Sequence, residues 1–214
     1  MSVWDERAEA YRTSEAHREG HDLDLLVDWA AVARTALDVA TGGGHVARRL
    51  REAGVDVVSL DPAAGMQPDV VAPAERLPFA EASFDVVACR VAAHHFENIE
   101  AAVSEMARVA RDLVLVSDNL FVGDAAEEAD RVRDPSHARN YTEEEWRRLF
   151  AGAGLRVEEA LVYEHPVLFE PWLERAGCTG KDAERVRALV ADRLDGDRLR
   201  LERICLKGRK TGDG

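Results

Sequence analysis

The chain has 214 residues, 46% of them hydrophobic and 32% charged, which is typical of a folded protein and excludes wholesale disorder. Its formal net charge of −13 at pH 7 should repel phosphate backbones and anionic lipid, so no nucleic acid is expected as a partner. The three cysteines, Cys89, Cys178 and Cys205, lie far apart in the sequence, and we predict neither a disulfide framework nor a metal site.

No segment has the pattern of a membrane anchor or a secretory signal. Residues 1–20 are charged and lack an apolar core, and no later run approaches the roughly 18 apolar residues of a membrane span. The sequence therefore predicts a cytoplasmic protein without membrane insertion.

Strand-like and helical patterns alternate in the first half of the chain, which is typical of an α/β protein with a parallel sheet. Strands are predicted at 36–40, 55–60, 69–72, 84–90 and 113–117. Helices are predicted near 43–53 and 97–111, the second from apolar residues that recur about every 3.6 positions.

The pattern changes after the fifth predicted strand. Residues 119–141 are polar and too long for a simple connection, so we predict an active-site lid there. Thr142 and Glu145 form a capping-box pattern, which predicts that a helix begins here and ends near Gly152 or Gly154.

The last part of the chain contains two predicted strands and an insertion between them. The strands are predicted from 155 to beyond 163 and at 200–207, with helical residues at 169–194. No composition shift marks a boundary, so residues 1–214 are interpreted as one domain with a helical insertion at 166–197. The insertion is expected to cover the sheet edge, and a wall of the substrate pocket or a dimer surface are the alternatives.

The most informative segment is the first strand–turn–helix, LDVATGGGHVARRL. Gly42, Gly43 and Gly44 let the backbone turn sharply and approach a ligand closely, and the following helix directs unpaired N–H groups at that ligand. Asp61 ends the second strand 19 residues after Gly42, where a carboxylate can accept hydrogen bonds from ribose hydroxyls. These residues predict a cofactor that contains adenosine.

Two classes of cofactor fit this loop. Gly42, Gly44 and Ala47 satisfy the G-x-G-x-x-A pattern of NAD-binding folds. Asp38, four residues before Gly42, is poorly placed near a pyrophosphate and well placed near a cationic amino-acid group. An NAD-dependent oxidoreductase is therefore the alternative interpretation, and Asp38 counts against it.

Three runs, LDVATGGGHVA, VVSLDPAAGM and AERLPFAEASFDVVACRVAAHHF, resemble the class I S-adenosylmethionine (SAM)-dependent methyltransferases. The likeness is nearest to small-molecule enzymes of the ubiquinone and menaquinone type, and it extends over about residues 4–160. It implies a Rossmann-like three-layer α/β sandwich with a seven-stranded, mostly parallel sheet whose last strand is antiparallel. It also implies methyl transfer from SAM to a small-molecule acceptor by in-line displacement, with release of S-adenosylhomocysteine. A SAM-binding protein that transfers no methyl group is a further alternative.

The resemblance also implies which residues bind the cofactor. Asp38 would face the methionine part of SAM, and Asp61 would hold the ribose hydroxyls. The other implied contacts are Tyr11, Ala40, Gly42, Gly44, Pro62, Met66, Ala74, Glu75 and Arg90. The chain departs from the pattern in three places: Ala40 replaces the first glycine, the helix after Met66 is nearly absent, and Pro73 replaces an aspartate.

The acceptor side is predicted where the ends of the strands converge. His95 is the first candidate for a catalytic base and His94 the second, because histidine titrates near neutrality, although the pair could instead orient its loop. Arg90 could bind an anionic group or pair with Asp118. The predicted substrate contacts are Arg90, Asp118, Asn119, His137 and Tyr141. An apolar lid favours a quinone-like, aromatic or polyketide acceptor, and a homodimer is compatible with the sequence.

Overall fold

The computed structural model describes residues 18–212. Its helices are α1 (His21–Trp29), α2 (His45–Glu52), α3 (Ile99–Val109), α4 (Asp124–Arg133), α5 (Glu143–Gly152), α6 (Phe169–Arg175) and α7 (Gly180–Leu189). Its strands are β1 (Thr35–Val39), β2 (Asp56–Asp61), β3 (Val70–Val71), β4 (Phe84–Arg90), β5 (Ala110–Asn119), β6 (Leu155–Leu168), β7 (Leu194–Asp195) and β8 (Arg198–Lys210). Within these residues, no helix has the length and apolar character that crossing a membrane requires.

One mixed sheet runs through the structure, with the strand order β3-β2-β1-β4-β5-β8-β6 and with β7 paired to β8. Strands β1 to β5 are parallel to one another, whereas β8 runs antiparallel to both β5 and β6. This topology confirms the predicted Rossmann-like α/β class. The described strands number eight rather than seven, because the two-residue strand β7 folds back on the start of β8.

The two faces of the sheet pack against different helices. In β1, Leu37 and Val39 belong to the core cluster under α3 and α5, whereas Ala36 belongs to the cluster under α1 and α2. A parallel sheet that is covered on both faces needs strands that are apolar on both sides, which is why these strands appear as continuous apolar runs. The polar groups of the central strands are therefore concentrated at their carboxyl ends.

The predicted helix boundaries are close to the observed ones, and capping explains where two helices begin. Thr142 Oγ1 accepts a hydrogen bond from the Glu145 N–H at 3.2 Å, and Glu145 Oε2 accepts one from the Thr142 N–H at 2.9 Å. This is the predicted capping box at the start of α5. Asn98 caps α3 in a similar way by accepting from the Ala101 N–H at 3.0 Å.

Two strands differ from their predicted lengths. Strand β3 has only two residues, and a single turn of 3-10 helix, Ala64–Met66, stands where related folds have a longer helix. Strand β6 continues through Pro166, which pairs with Arg200, as far as Leu168. Proline is tolerated there because β6 is the last strand of the sheet. Strand β8 pairs with β6 as far as Leu168 and is correspondingly long. The helical insertion therefore begins at Phe169 and not at 166.

The insertion packs on the predicted lid. A separate apolar cluster joins Ala129 of α4 to Trp172 of α6 and Val186 of α7, together with Leu199 of β8. We refer to α4, α6 and α7 as the cap. Because one cluster holds all three helices, the segment predicted to be a lid and the insertion pack together.

The contact between β8 and α5 depends on a residue without a side chain. A Cβ added at Gly208 would lie 2.5 Å from Phe150 Cδ1 and 2.6 Å from Cε1, and Phe150 is fully buried. We expect Gly208→Ala to lower the free energy of unfolding by about 1–3 kcal/mol through overpacking, measured by urea unfolding. Gly152→Ala is the matched control, because its Cβ would meet no atom within 4 Å. Equal unfolding midpoints for both variants would contradict the prediction.

Candidate active site

The loop after β1 is fastened by a buried carboxylate. Asp38 is 1% exposed, and its Oδ2 accepts hydrogen bonds from the Ala47 N–H at 3.0 Å and from Thr41 Oγ1 at 2.5 Å. Burial raises the pKa of Asp38 to about 6, against the lowering effect of these two hydrogen bonds, and the charge of Asp61 raises it further. Asp38 therefore holds the loop in place, and a cationic group bound beside it would stabilise its ionised form.

Neighbouring atoms do not cover the backbone of the glycine loop at Gly42 and Gly44. Gly42 and Gly44 have φ angles of 51° and 73°, and a Cβ at either position would meet no atom within 4 Å. Ala40 adopts a φ of 53° in the same loop, a left-handed conformation that explains why glycine usually stands there in similar sequences. The loop is shaped so that a ligand can approach its main chain.

Asp61 joins the second strand to the same loop. Its Oδ2 accepts from the Gly42 N–H and its Oδ1 from the Ala63 N–H, each at 2.9 Å. A carboxylate has about four lone-pair positions, so these bonds leave it able to accept from hydroxyl groups as well. Asp61 and Gly42 are 19 residues apart in the sequence, a separation that suggested a ribose contact. In the structure, Asp61 forms a direct hydrogen bond to the loop.

A cavity of about 370 Å³ lies at this edge of the sheet. We call it the cofactor cavity. It is lined by the predicted residues Asp38, Ala40, Gly42, Asp61, Pro62, Met66, Ala74, Glu75 and Arg90, and also by Thr41, His45, Val91, His95 and Phe96. Gly44 begins α2 and does not line the cavity, and Tyr11 lies outside the described residues. The volume and the mixture of two carboxylates with apolar walls fit a cofactor with a cationic amino-acid end and an adenosine end.

Arg90 makes a different ion pair from the one considered in the sequence. Its Nε and Nη2 donate to the Asp22 carboxylate at 2.6 and 3.0 Å, and Arg203 Nη1 donates to Asp22 Oδ2 at 3.0 Å. Asp22 is fully buried, and although burial opposes its charge, the two guanidinium groups hold the pKa of Asp22 well below its usual range. Arg90 therefore pairs with an acid, as one alternative held, but the acid is Asp22 and not the suggested Asp118, and Asp22 was not identified as a site residue from the sequence.

Asp118 instead holds His94. Its Oδ1 lies 2.5 Å from His94 Nδ1, and its Oδ2 accepts from the His94 N–H at 2.9 Å. Both side chains are buried. Burial works against protonation of His94, but the Asp118 carboxylate outweighs it and raises the pKa of the ring. Asp118 lines neither the cofactor cavity nor the second cavity described next, and it acts on the site through His94.

His95 lines the cofactor cavity and also a second cavity. Its Nδ1 lies 3.0 Å from the carbonyl oxygen of Ser136, so Nδ1 carries the proton and Nε2 carries the lone pair. Burial, and then the charge of the neighbouring His94, lower the pKa of His95 to about 3. The ring is therefore neutral at physiological pH.

The second cavity, of about 70 Å³, adjoins the first, and we call it the acceptor cavity. Val91 and His95 border both cavities. The acceptor cavity is lined further by His94, Asn119, Arg133, Asp134, His165, Val167, Trp172, Arg175, Leu201 and Arg203. His165, Arg175 and Arg203 were not identified from the sequence, because they lie on the β6–β8 arm and on α6, far from the recognisable motifs.

Val91 marks the boundary between the cavities with an unusual backbone. Its φ of 54° is a left-handed conformation that β-branched residues rarely adopt. Its N–H donates to the Ser117 carbonyl at 2.7 Å, which ties the end of β4 to β5. Strain of about 1–3 kcal/mol persists at such residues only where the surroundings fix it, most often at functional sites.

Two predicted substrate contacts lie elsewhere. His137 contacts Glu127 of α4, with 3.1 Å between Nε2 and Oε1, and lines neither cavity. Tyr141 stacks edge-on against Trp146 and lines a separate surface groove beside α3 and α5. Of the predicted acceptor residues, the structure brings Asn119 and the two histidines to the acceptor cavity.

Comparisons with known proteins agree on one family. A family model described as a methyltransferase domain matches residues 37–114. The Bacillus subtilis protein named uncharacterized methyltransferase YcgJ is 30% identical over 203 residues, which cover 83% of this chain and 79% of that protein. A demethylmenaquinone methyltransferase from Beutenbergia cavernae is 41% identical over 99 residues, covering 42% of this chain and 40% of that enzyme. A crystal structure from Bacillus halodurans, provisionally described as a methyltransferase, has a TM-score of 0.80 at 29% identity and covers 89% of this chain and 99% of that one.

The sheet topology and the cavity between two acidic strand ends define a Rossmann-like enzyme that binds an adenosine-containing cofactor. The similarity to YcgJ and to the methyltransferase domain shows that this chain belongs to the SAM-dependent methyltransferases. Its cofactor is SAM, and the interpretation as an NAD-dependent oxidoreductase is set aside.

Proposed function

We propose that this methyltransferase acts on a small aromatic or quinone-like acceptor whose reacting group enters the acceptor cavity. The observation that carries the proposal is the shared wall of the two cavities, formed by His95 and Val91. A methyl donor in the first cavity and an acceptor in the second would meet at this wall. The relative that methylates demethylmenaquinone supports the same class of acceptor.

The cofactor cavity has a group for each part of SAM. We propose that the Asp38 carboxylate and the open Gly42 backbone hold the methionine part, and that Asp61 accepts from the ribose hydroxyls. Pro62 and Met66 would flank the adenine, with Ala74, Glu75 and Arg90 completing the cavity wall. When bound, SAM supplies a methyl group that its sulfonium makes electrophilic.

The acceptor cavity is lined by both apolar and charged side chains. Trp172, Val167 and Leu201 form apolar surface, and the guanidinium of Arg133 lies 4.3 Å from the Trp172 ring centroid. Arg175 also lines the cavity, whereas the charge of Arg203 is paired with Asp22 and Asp134 adds a carboxylate to the lining. This mixture suits a flat ring that carries an acidic hydroxyl or another anionic substituent.

His95 is well placed to take a proton from such an acceptor. Its Nδ1 proton is directed to Ser136, which leaves the Nε2 lone pair as the accepting position. A histidine with a pKa of about 3 is a weak base, so it is matched to a hydroxyl that ionises readily. A hydroxyquinone or an acidic phenol meets this condition better than an aliphatic alcohol. His94, held by Asp118, would position the His95 ring 4.1 Å away.

The test is a methyl-transfer assay that follows S-adenosylhomocysteine release across small phenols, hydroxyquinones, aliphatic alcohols and amines. For an accepted phenol, we expect His95→Asn to lower kcat about a hundredfold, the lower end for a proton-transfer residue, with a much smaller change in the Kd for SAM. His21→Asn is the control, because His21 is exposed and lines neither cavity. Turnover confined to alcohols or amines would contradict the acceptor class. Unchanged kcat in His95→Asn would remove His95 from proton transfer.

A further inference from the structure

Four polar side chains meet in the cap, away from both cavities. Glu127 and Asp130 lie three residues apart on α4, and His137 and Asn140 follow it. His137 Nε2 is 3.1 Å from Glu127 Oε1, and Asn140 Nδ2 donates to Asp130 Oδ2 at 2.8 Å. We call these four residues the cap cluster. One ligand atom from each of Glu127, Asp130 and His137 lies within 4.8 Å of the other two.

One oxygen of the cluster lacks a partner. Asn140 is 4% exposed, and its Oδ1 is buried without a hydrogen-bond partner in the part of the chain that the structure describes. A buried acceptor left in this state costs about 1–3 kcal/mol, so native proteins rarely keep one without a bound water molecule, ion or ligand. A cavity of about 20 Å³, enough for one water molecule or ion, borders Glu127, Asp130 and Asn140.

We propose that the cap cluster binds a divalent transition-metal ion of the Mn²⁺ or Zn²⁺ kind. Two carboxylates, one imidazole nitrogen and one amide oxygen form a mixed oxygen and nitrogen ligand set that suits these ions. Ligand atoms about 2.0–2.2 Å from one tetrahedral ion lie about 3.3–3.6 Å apart, so the widest of the present separations would have to close by as much as about 1.5 Å. The ion would also satisfy Asn140 Oδ1.

The hydrogen bonds that the cap cluster makes without an ion could be exchanged for bonds to an ion. Glu127 Oε1 also accepts from Arg131 at 3.0 Å, but the Arg131 side chain is 54% exposed and can turn into solvent. The Asn140 N–H bonds to both Glu127 oxygens at 3.2 and 3.3 Å, which keeps that carboxylate directed into the cluster. The hydrogen bond between His137 and Glu127 would be replaced by two bonds to the ion.

Ion binding would hold residues 131–139 in place, and this segment contacts His94 and His95. Between Asp130 and Asn140 the chain carries Ser136, whose carbonyl accepts from His95 Nδ1. The N–H groups of Ala138 and Arg139 donate to the His94 carbonyl at 2.9 and 3.1 Å. The ion would therefore order the cap over the acceptor cavity without touching the cofactor or acceptor.

The test uses the full chain without an affinity tag, stripped with a chelator and titrated calorimetrically with ZnCl₂ and with MnCl₂. We expect one ion per chain and a rise of about 5 °C in the unfolding midpoint at saturation, since about 1 kcal/mol shifts a chain of this size by roughly 2–4 °C. Asp130→Asn and His137→Gln should each weaken binding at least tenfold. Asn140→Asp adds a carboxylate and should increase the metal-induced shift.

Asp124→Asn is the matched control, because it removes the same charge from an exposed position of the same helix. It should leave both stoichiometry and affinity unchanged. The proposal is overturned if neither ion binds. It is equally overturned if Asp130→Asn and His137→Gln bind the ion as tightly as the parent, which would assign the binding to surface carboxylates. Methyl transfer is not measured in this test, so its outcome is independent of the acceptor proposed above.

Discussion

Asp38→Asn is expected to weaken SAM binding by between tenfold and a hundredfold. The proposed partner of the Asp38 carboxylate is the ammonium group of the cofactor, and a charge-assisted hydrogen bond contributes about 1.5–3 kcal/mol. Calorimetric titration of the variant and the parent with SAM measures this difference. Asp28→Asn, on the exposed side of α1, provides the control for the substitution itself.

The same substitution should leave the unliganded protein at least as stable as the parent. The pKa of Asp38 is raised by burial from 3.8 to about 6, so ionised Asp38 destabilises the free protein by roughly 3 kcal/mol above pH 6. An asparagine oxygen can still accept from the Ala47 N–H and carries no charge. Thermal unfolding without cofactor checks this. A large loss of stability would mean that Asp38 serves the fold more than the cofactor.

The raised pKa also predicts how cofactor binding depends on pH. A cationic ligand favours the ionised carboxylate, so SAM affinity should be constant well above pH 6 and should fall as the pH drops through 6. Asp38→Asn should lose this dependence, because it has no proton to exchange at this position. A parent protein whose SAM affinity is constant between pH 5 and pH 8 would contradict the assignment of Asp38 to the ammonium group.

Asp22→Asn is expected to cost about 3–5 kcal/mol of folding stability, because it leaves two buried guanidinium groups without their counter-charge. Asp22 receives three hydrogen bonds of 2.6 to 3.0 Å from Arg90 and Arg203, and all three side chains are nearly inaccessible to solvent. Urea unfolding at pH 7 measures the loss, with the exposed Asp28→Asn on the same helix as control.

The contribution of Asp22 to folding stability changes with pH in the opposite direction to that of Asp38. The pKa of Asp22 is lowered in the folded state, so its contribution to stability is complete above the unfolded value of 3.8 and is lost as the pH falls further. The difference in stability between parent and Asp22→Asn should therefore shrink below pH 4. A variant that unfolds like the parent at pH 7 would show that the two arginines do not need Asp22.

The cofactor cavity could be predicted from the sequence because its parts are local. Asp38, the glycine loop and the start of α2 follow one another within ten residues, so their spacing already fixes their geometry. Asp61 is one strand away, and parallel strands bring their carboxyl ends to the same edge. The capping box of α5 is local in the same way. For these elements, short-range backbone geometry was sufficient.

The acceptor side depends on contacts that no local pattern shows. Asp22 and Arg203 are 181 positions apart, and Arg90 meets them only because β4 and β8 both lie beside β5 in the sheet. The cap exists because Trp172 and Val186 of the insertion share an apolar cluster with Ala129. His137 belongs to the cap cluster through its contact with Glu127. Apolar burial is not directional, so the sequence determined that these segments would pack, and only the tertiary structure decided against which partners.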